Sequence, residues 1–207
     1  LWIIDPQSWL SLHFDHPESI ASNPTIIDGA DDLENWAQEL LTLRIQPQDW
    51  DSLRLTQPSA NWEPIVNIKI QLMANLWQRP PNPYNCYLLD ASDRSLFESL
   101  TKLCQPNLPP SWQQFHRELS ASTERLVWAE IDRTRGTFTI AITPTDLVAK
   151  LAPIWQRQPA ILITSAVDLN AEAIGYRQEL GLGEITSVKF PLDRQDDLFK
   201  LYIPRWM

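Results

Sequence analysis

The sequence predicts an α/β fold in which a partial parallel sheet is interrupted by a helical insertion. Three stretches carry that expectation. Thr25 to Asp28 is an apolar, β-branched run that meets a cluster of carboxylates, Asp28, Asp31, Asp32 and Glu34, and a helical pattern follows at once. From about residue 32 to 122 the chain reads as successive helices with proline-rich joints. Ala160 to Thr164, directly after a proline, is an apolar run of the kind a central parallel strand shows.

Composition sets the outer bounds. The 207 residues suffice for one large domain or two small ones. An apolar fraction of 43% and an aromatic fraction of 10% supply a real core and exclude a disordered chain. Glycine is scarce (5) and proline abundant (17), so loops are stiffened rather than loosened. Ten tryptophans point to core and interface packing. A net charge of -9 argues against an autonomous nucleic-acid binder, though it leaves room for a local basic groove. Cys86 and Cys104 have no metal-ligand spacing and are expected as reduced thiols. No apolar run approaches the roughly 20 residues that cross a bilayer, and no signal peptide is visible. The chain opens on Leu1 rather than Met and stops directly after a strand-like run, which suggests a cut from a longer polypeptide.

The elements follow in order. Leu1 to Ile4 predicts a short strand. Asp5 suits the cap of a helix with Pro6 at its first position, and Trp9, Leu10 and Phe14 form its core face. His13 and His16 flank Asp15 without further ligands nearby, so they are expected as surface histidines. Thr25 to Asp28 is a strand. Leu33, Trp36, Ala37, Leu40 and Leu41 then mark an amphipathic helix. Asp31, Asp32 and Glu34 suit its positive N-terminal end, which accounts for the cluster without any chemistry. Pro47 to Pro58 predicts one short helix. Ile65 to Trp77 is apolar around most of its circumference and predicts a buried helix, with a strand over Ile65 to Ile70 as competitor. Arg79 to Tyr84 is a proline-rich rigid loop.

Asp90 or Ser92 suits the cap of a helix with Leu96, Phe97, Leu100 and Leu103 on one face. Trp112, Phe115 and Leu119 mark another. Arg125 to Ile131 and Gly136 to Ile142 predict a hairpin with Gly136 left-handed. Pro144 to Gln156 and Ala171 to Leu180 predict helices, the second stopped by Gly181. Strands are expected near Thr186 to Phe190 and Leu198 to Ile203.

Several of these stretches, taken in order, resemble the DinG/XPD-like superfamily 2 DNA helicases. Asp28-Gly29-Ala30-Asp31 stands where that family has its Asp-Glu-Ala-His segment. Thr164-Ser165-Ala166-Val167-Asp168-Leu169 is similar to its Thr-Ser-Ala-Thr-Leu motif, with Val167 in place of the second Thr. Tyr176 to Leu182 resembles a family helix ending in Leu-Gly-Leu, and Trp128 to Pro144 the hairpin before the Thr-Ser-Ala segment. Leu192 to Pro204 resembles a further stretch, loosely met at Phe190-Pro191-Leu192.

The resemblance implies a RecA-like motor domain interrupted by an arch-like helical insertion. Residues 1–45 would be the first motor segment, 46–123 the arch, and 124–207 the hairpin and the return to the motor. It further implies ATP and Mg²⁺ as cofactors of the parent protein, with Asp28 holding the metal through water. Asp28, Thr164 and Ser165 would line the nucleotide side, and Asp28 and Asp31 would be the catalytic positions. Single-stranded DNA and the remaining motor domains would be the partners, DNA repair the setting, and a bacterial-type, nucleoid-associated cytoplasm the place. The family's phosphate-cradling Gly-Lys-Thr loop and its iron–sulfur cysteines are not in this chain. Gly29 replaces the Glu that orients the attacking water, and Asp31 replaces the His that links nucleotide to DNA. Hydrolysis is therefore expected to be slow or lost.

Three functional classes follow. In the first, this piece lines a single-strand path, with Arg125, Arg133, Arg135, Lys150, Arg157 and Lys189 as candidate basic residues. In the second, it is a non-enzymatic scaffold that keeps a helicase fold to recruit a partner. In the third, Asp28, Asp31, Asp32 and Glu34 form part of a metal-dependent nuclease site.

Overall fold

The computed structural model describes residues 3–16, 23–121, 124–165 and 174–188. They form a mixed α/β fold with a small parallel sheet and a larger antiparallel one, each with its own hydrophobic core.

The parallel sheet pairs β1 (Thr25–Asp28) with β6 (Ala160–Ile163), in the register Thr25–Ala160, Ile26–Ile161, Ile27–Leu162 and Asp28–Ile163. Residues 29–159 lie between the two strands, so the sheet is interrupted as the sequence predicts. Helix α1 (Pro6–Asp15) begins where Asp5 accepts the Ser8 backbone N–H at 2.8 Å, with Pro6 in the first turn. After β1 a single 3₁₀ turn (Ala30–Asp32) leads into α2 (Leu33–Leu41). Ile27, Leu33 and Ala37 pack with Trp9 and Leu10 of α1 and with Leu151 and Ile154 of α7 (Val148–Arg157). Leu180, at the end of α8 (Ile174–Leu180), closes this core. Gly181, at φ 66°, ends α8 and lies so close to α7 that a Cβ would meet Val148 at 2.9 Å.

The antiparallel sheet has the order β2-β5-β4-β3. Its centre is the expected hairpin, β4 (Arg125–Asp132) and β5 (Thr137–Pro144). Its turn is closed by Asp132, which accepts the Thr134 and Arg135 backbone N–H groups, and by Gly136 at φ 64°. The flanks are β2 (Leu43–Ile45) and β3 (Cys86–Leu88). Around this sheet lie α3 (Pro47–Thr56), α4 (Trp62–Trp77), α5 (Ala91–Cys104) and α6 (Pro110–Leu119). Trp50, Phe97, Trp112 and Phe115 pack ring on ring under Ile140, Val127 and Phe138. The Trp112 indole donates to the Asp49 carbonyl at 3.0 Å, so even this buried tryptophan has its partner.

Several expectations change. The stretch 32–122 is not all helical, because β2 and β3 fall inside it. Each is three residues long, too short to show a period of its own, and is set by the hairpin edge it pairs with. Val127, Ile131, Phe138 and Ile142 of the hairpin share a core with residues of the helices between 46 and 121. The strand predicted over Leu1 to Ile4 is absent at its described end, where Ile3 and Ile4 are exposed and irregular. Ile65 to Ile70 is helix, not strand. Strand β5 runs on to Pro144, so α7 starts at Val148, where the Asp146 side chain accepts the Ala149 N–H at 3.0 Å. Thr186 to Val188 carries no regular structure; the rest of that predicted strand, Leu198 to Ile203 and residues 171–173 lie outside the described residues.

The edge at β3 is closed by side chains. Asn82 donates to the Cys86 carbonyl at 2.8 Å, and Arg79 donates to the Leu88 carbonyl. Arg79 also pairs with Asp90, at 3.1 Å, and with the fully buried Asp93, which the Asn75 amide meets at 3.1 Å. The proline-rich loop is thereby pinned to the start of α5, which Asp90 caps.

Candidate functional site

Parallel pairing of β1 and β6 carries the chain segments that follow both strands to the same end of the sheet. In open α/β sheets, that carboxyl end is where ligands bind. Asp28, Asp31, Thr164 and Ser165 are therefore brought together, although residues 29–159 separate the two strands.

Asp31 is the hub. Its carboxylate accepts the Ser165 backbone N–H at 2.7 Å and the Ser165 hydroxyl at 2.9 Å, and it also accepts the Thr164 hydroxyl. Three donors on one carboxylate tie the turn after β1 to the end of β6. Tyr176, on α8, donates its hydroxyl to the Ala30 carbonyl at 2.9 Å and borders the same cluster. Burial pushes its phenol up to about 12. The Thr164 hydrogen bond opposes that shift, and the Asp31 charge adds to it.

Asp28 is exposed, and one of its oxygens accepts the Gly29 N–H at 3.0 Å. Gly29 sits in the left-handed region, at φ 67°. A Cβ there meets only Trp36, at 3.9 Å, so the backbone angle rather than space favours glycine. At this position of the turn the chain therefore carries no side chain of its own next to Asp28.

The arrangement fits a limited chemistry. Asp28 presents an exposed carboxylate. The Asp31 carboxylate accepts hydroxyl and amide donors. Among the described residues no three His, Cys, Asp or Glu side chains converge to hold a metal ion, so the nuclease reading finds no site there.

The basic candidates scatter. Arg125 and Arg133 stand at opposite ends of β4, and Lys150 and Arg157 at opposite ends of α7. Arg125 pairs with Glu118 at 2.7 Å, and Arg135 lies 3.7 Å from Asp132. Lys150 lines a cavity of about 240 Å³ with Phe14, Asp15, Leu41 and Glu118, away from the Asp31 cluster. Lys189 lies outside the described residues.

His13 corrects the expectation of a surface histidine: it is 6% exposed, while His16 is exposed as predicted. Its ring meets Trp9 edge-on at 4.4 Å, and Trp9 stacks on Trp155 at 5.9 Å. Burial holds the imidazole below its ordinary value; the Arg157 charge adds to this and the Gln158 side chain opposes it. The thiols also differ. Cys104 is buried and pushed up to about 11, which leaves it unreactive, while Cys86 is exposed.

Sequence reading missed two residues. Tyr176 ties α8 to the Ala30 turn through its hydroxyl, and Gln158 donates to Asn23 and Thr25 at the start of β1. Neither had a local signal, since both partners lie far away in the sequence.

Searches against protein-family models and curated proteins find no match for the chain. Among the described residues no helix is long and apolar enough to cross a membrane.

Proposed function

We propose that this chain is the part of a DinG/XPD-type, helicase-related protein in which the RecA-like segment after the phosphate loop meets an arch-like insertion. The observation that supports this best is the Asp31 bridge. The two segments that resemble the family's motifs are joined at the carboxyl end of one parallel sheet, by the residue that stands in its His position. In this reading Asp28 holds Mg²⁺ of a bound nucleotide through water, and the metal neutralises phosphate charge. Asp31 passes the state of that site to Thr164 and Ser165, and through them to the single-strand path. The chain's own share is positioning; the phosphate cradle belongs to another part of the parent.

Gly29 sets the rate. Without a carboxylate beside Asp28 the attacking water is not oriented, so nucleotide and DNA bind without vigorous turnover. A second reading, a scaffold without enzymatic activity, is favoured by the same residue and by the three donors that occupy Asp31.

ATP turnover by the full-length protein, measured with and without single-stranded DNA, separates the two. Slow turnover that DNA raises supports the first reading. Turnover indistinguishable from buffer, with no affinity for nucleotide, leaves the scaffold.

A further inference from the structure

The cavity of about 240 Å³ lies at the seam between the two hydrophobic cores. Phe14, on one of its walls, packs against the core of the parallel sheet, and Leu43, on another, against the core of the antiparallel sheet. Leu41 and Pro144 complete the apolar lining. Seams between packing units are where ligand sites are most often built. The volume is below the roughly 300 Å³ at which sites for drug-sized ligands begin, so the cavity suits a small metabolite.

Three helices end at this cavity. Asp15 is the last residue of α1, Leu41 the last of α2, and Glu118 the last but one of α6. Helix C-terminal ends carry partial negative charge, and two of these ends add a carboxylate, so this side favours a cation. Neither carboxylate is fully engaged. Asp15 accepts the Ser11 hydroxyl on Oδ2 at 2.9 Å, and Glu118 takes both Arg125 bonds on Oε2, at 2.9 and 2.7 Å. Among the described residues, Oδ1 of Asp15 and Oε1 of Glu118 accept no hydrogen bond. Lys150, in the first turn of α7, lines the same cavity and is in no ion pair among the described residues. With Arg125 set against Glu118, Asp15 and Lys150 leave one negative and one positive group at the rim.

We propose that this cavity binds a free α-amino acid with an apolar side chain. The ammonium group faces the carboxylates of Asp15 and Glu118, the carboxylate faces Lys150, and the side chain lies on Phe14, Leu41, Leu43 and Pro144. Other ligand classes match fewer of these groups. A phosphate or nucleotide meets two carboxylates for one lysine. A simple amine leaves Lys150 without a counter-charge, and a simple carboxylic acid leaves both carboxylates without one. A divalent cation finds only two carboxylates here, and among the described residues no three such ligands converge. A ligand at this seam touches elements of both cores and stabilises their packing by mass action. The cavity is separate from the Asp31 site, so failure of one proposal leaves the other standing.

The test uses the full chain, with L-phenylalanine and L-leucine as probes. Phenethylamine, 3-phenylpropionate and glycine each lack one of the three contacts and serve as controls. Two-dimensional NMR titration reads affinity and place together. The tighter of the two amino acids should bind with a Kd of about 1 mM or below, and about tenfold or more tighter than any control. The shifted amides should map to the ends of α1 and α6 and the start of α7. Lys150→Met should cost L-phenylalanine about tenfold or more and leave phenethylamine unchanged. Asp15→Asn should weaken L-phenylalanine and phenethylamine by about fivefold and spare 3-phenylpropionate. Both changes are on exposed residues, and circular dichroism melts check that the fold is kept. No shifts at about 10 mM amino acid, or shifts that map away from the cavity, overturn the proposal. So does a control that binds as tightly as the amino acid, or a Lys150→Met chain that binds L-phenylalanine as the wild type does.

Discussion

The Asp31 carboxylate is bonded to Ser165 twice, to its backbone N–H at 2.7 Å and its hydroxyl at 2.9 Å, and the Thr164 hydroxyl adds a third bond. These bonds link the turn after β1 to the end of β6. The link is solvent-exposed, so its worth is well below that of a buried charge network. Asp31→Ala is expected to lower unfolding free energy by about 1 kcal/mol, read as a lower urea midpoint at unchanged slope. A midpoint equal to wild type would show that the link is incidental to the fold.

Gly29 is left-handed because the turn from Asp28 to Asp31 needs that backbone angle. Gly29→Ala should destabilise by about 1 kcal/mol, and Gly29→Asn by less, since asparagine tolerates the left-handed region. Thermal melts of the three proteins check the order. Equal losses for Ala and Asn would point to crowding against Trp36 rather than to backbone strain.

His13 makes stability depend on pH in the acid direction. Its folded pKa is depressed from the usual 6.5, chiefly by burial, so the unfolded chain takes up the proton first. Stability is then lost as pH falls below the unfolded value toward the folded one. Urea midpoints between about pH 7 and about pH 5 should fall more steeply for wild type than for His13→Gln. A two-dimensional NMR titration of the His13 ring reads the same shift directly. A ring that titrates at or above the usual histidine value would contradict the buried placement.

The legible parts of the fold were those with a long repeat or a cap. Asp5-Pro6, the alternation of Phe138, Ile140 and Ile142, and the Leu33 to Leu41 periodicity each stated their element locally. The proximity of Asp28 and Asp31 to Thr164 was legible too, because two apolar runs ending in polar residues imply a shared parallel sheet edge. What escaped was tertiary. Cys86 to Leu88 becomes a strand only because Trp128 and Glu130 present an edge to it. His13 is buried against Trp9, which in turn stacks on Trp155 of α7, a tertiary arrangement that spacing along α1 does not reveal. The apolar circumference of Ile65 to Trp77 predicted full burial, and the open row at Trp62, Val66 and Ile70 appears only once the neighbouring helices are in place. At the site itself, Asp28 and Asp31 were read from the sequence, but the three donors on Asp31 and the hydroxyl of Tyr176 were not.

The most direct test of the proposed coupling is the affinity of the full-length protein for a single-stranded oligonucleotide, measured with and without Mg²⁺ and a non-hydrolysable ATP analogue. The account predicts a salt-sensitive affinity that the nucleotide shifts by about fivefold or more, and that Asp31→Ala no longer shifts. An oligonucleotide affinity that the nucleotide leaves unchanged in the wild type, or that still shifts to the same extent in Asp31→Ala, would contradict it.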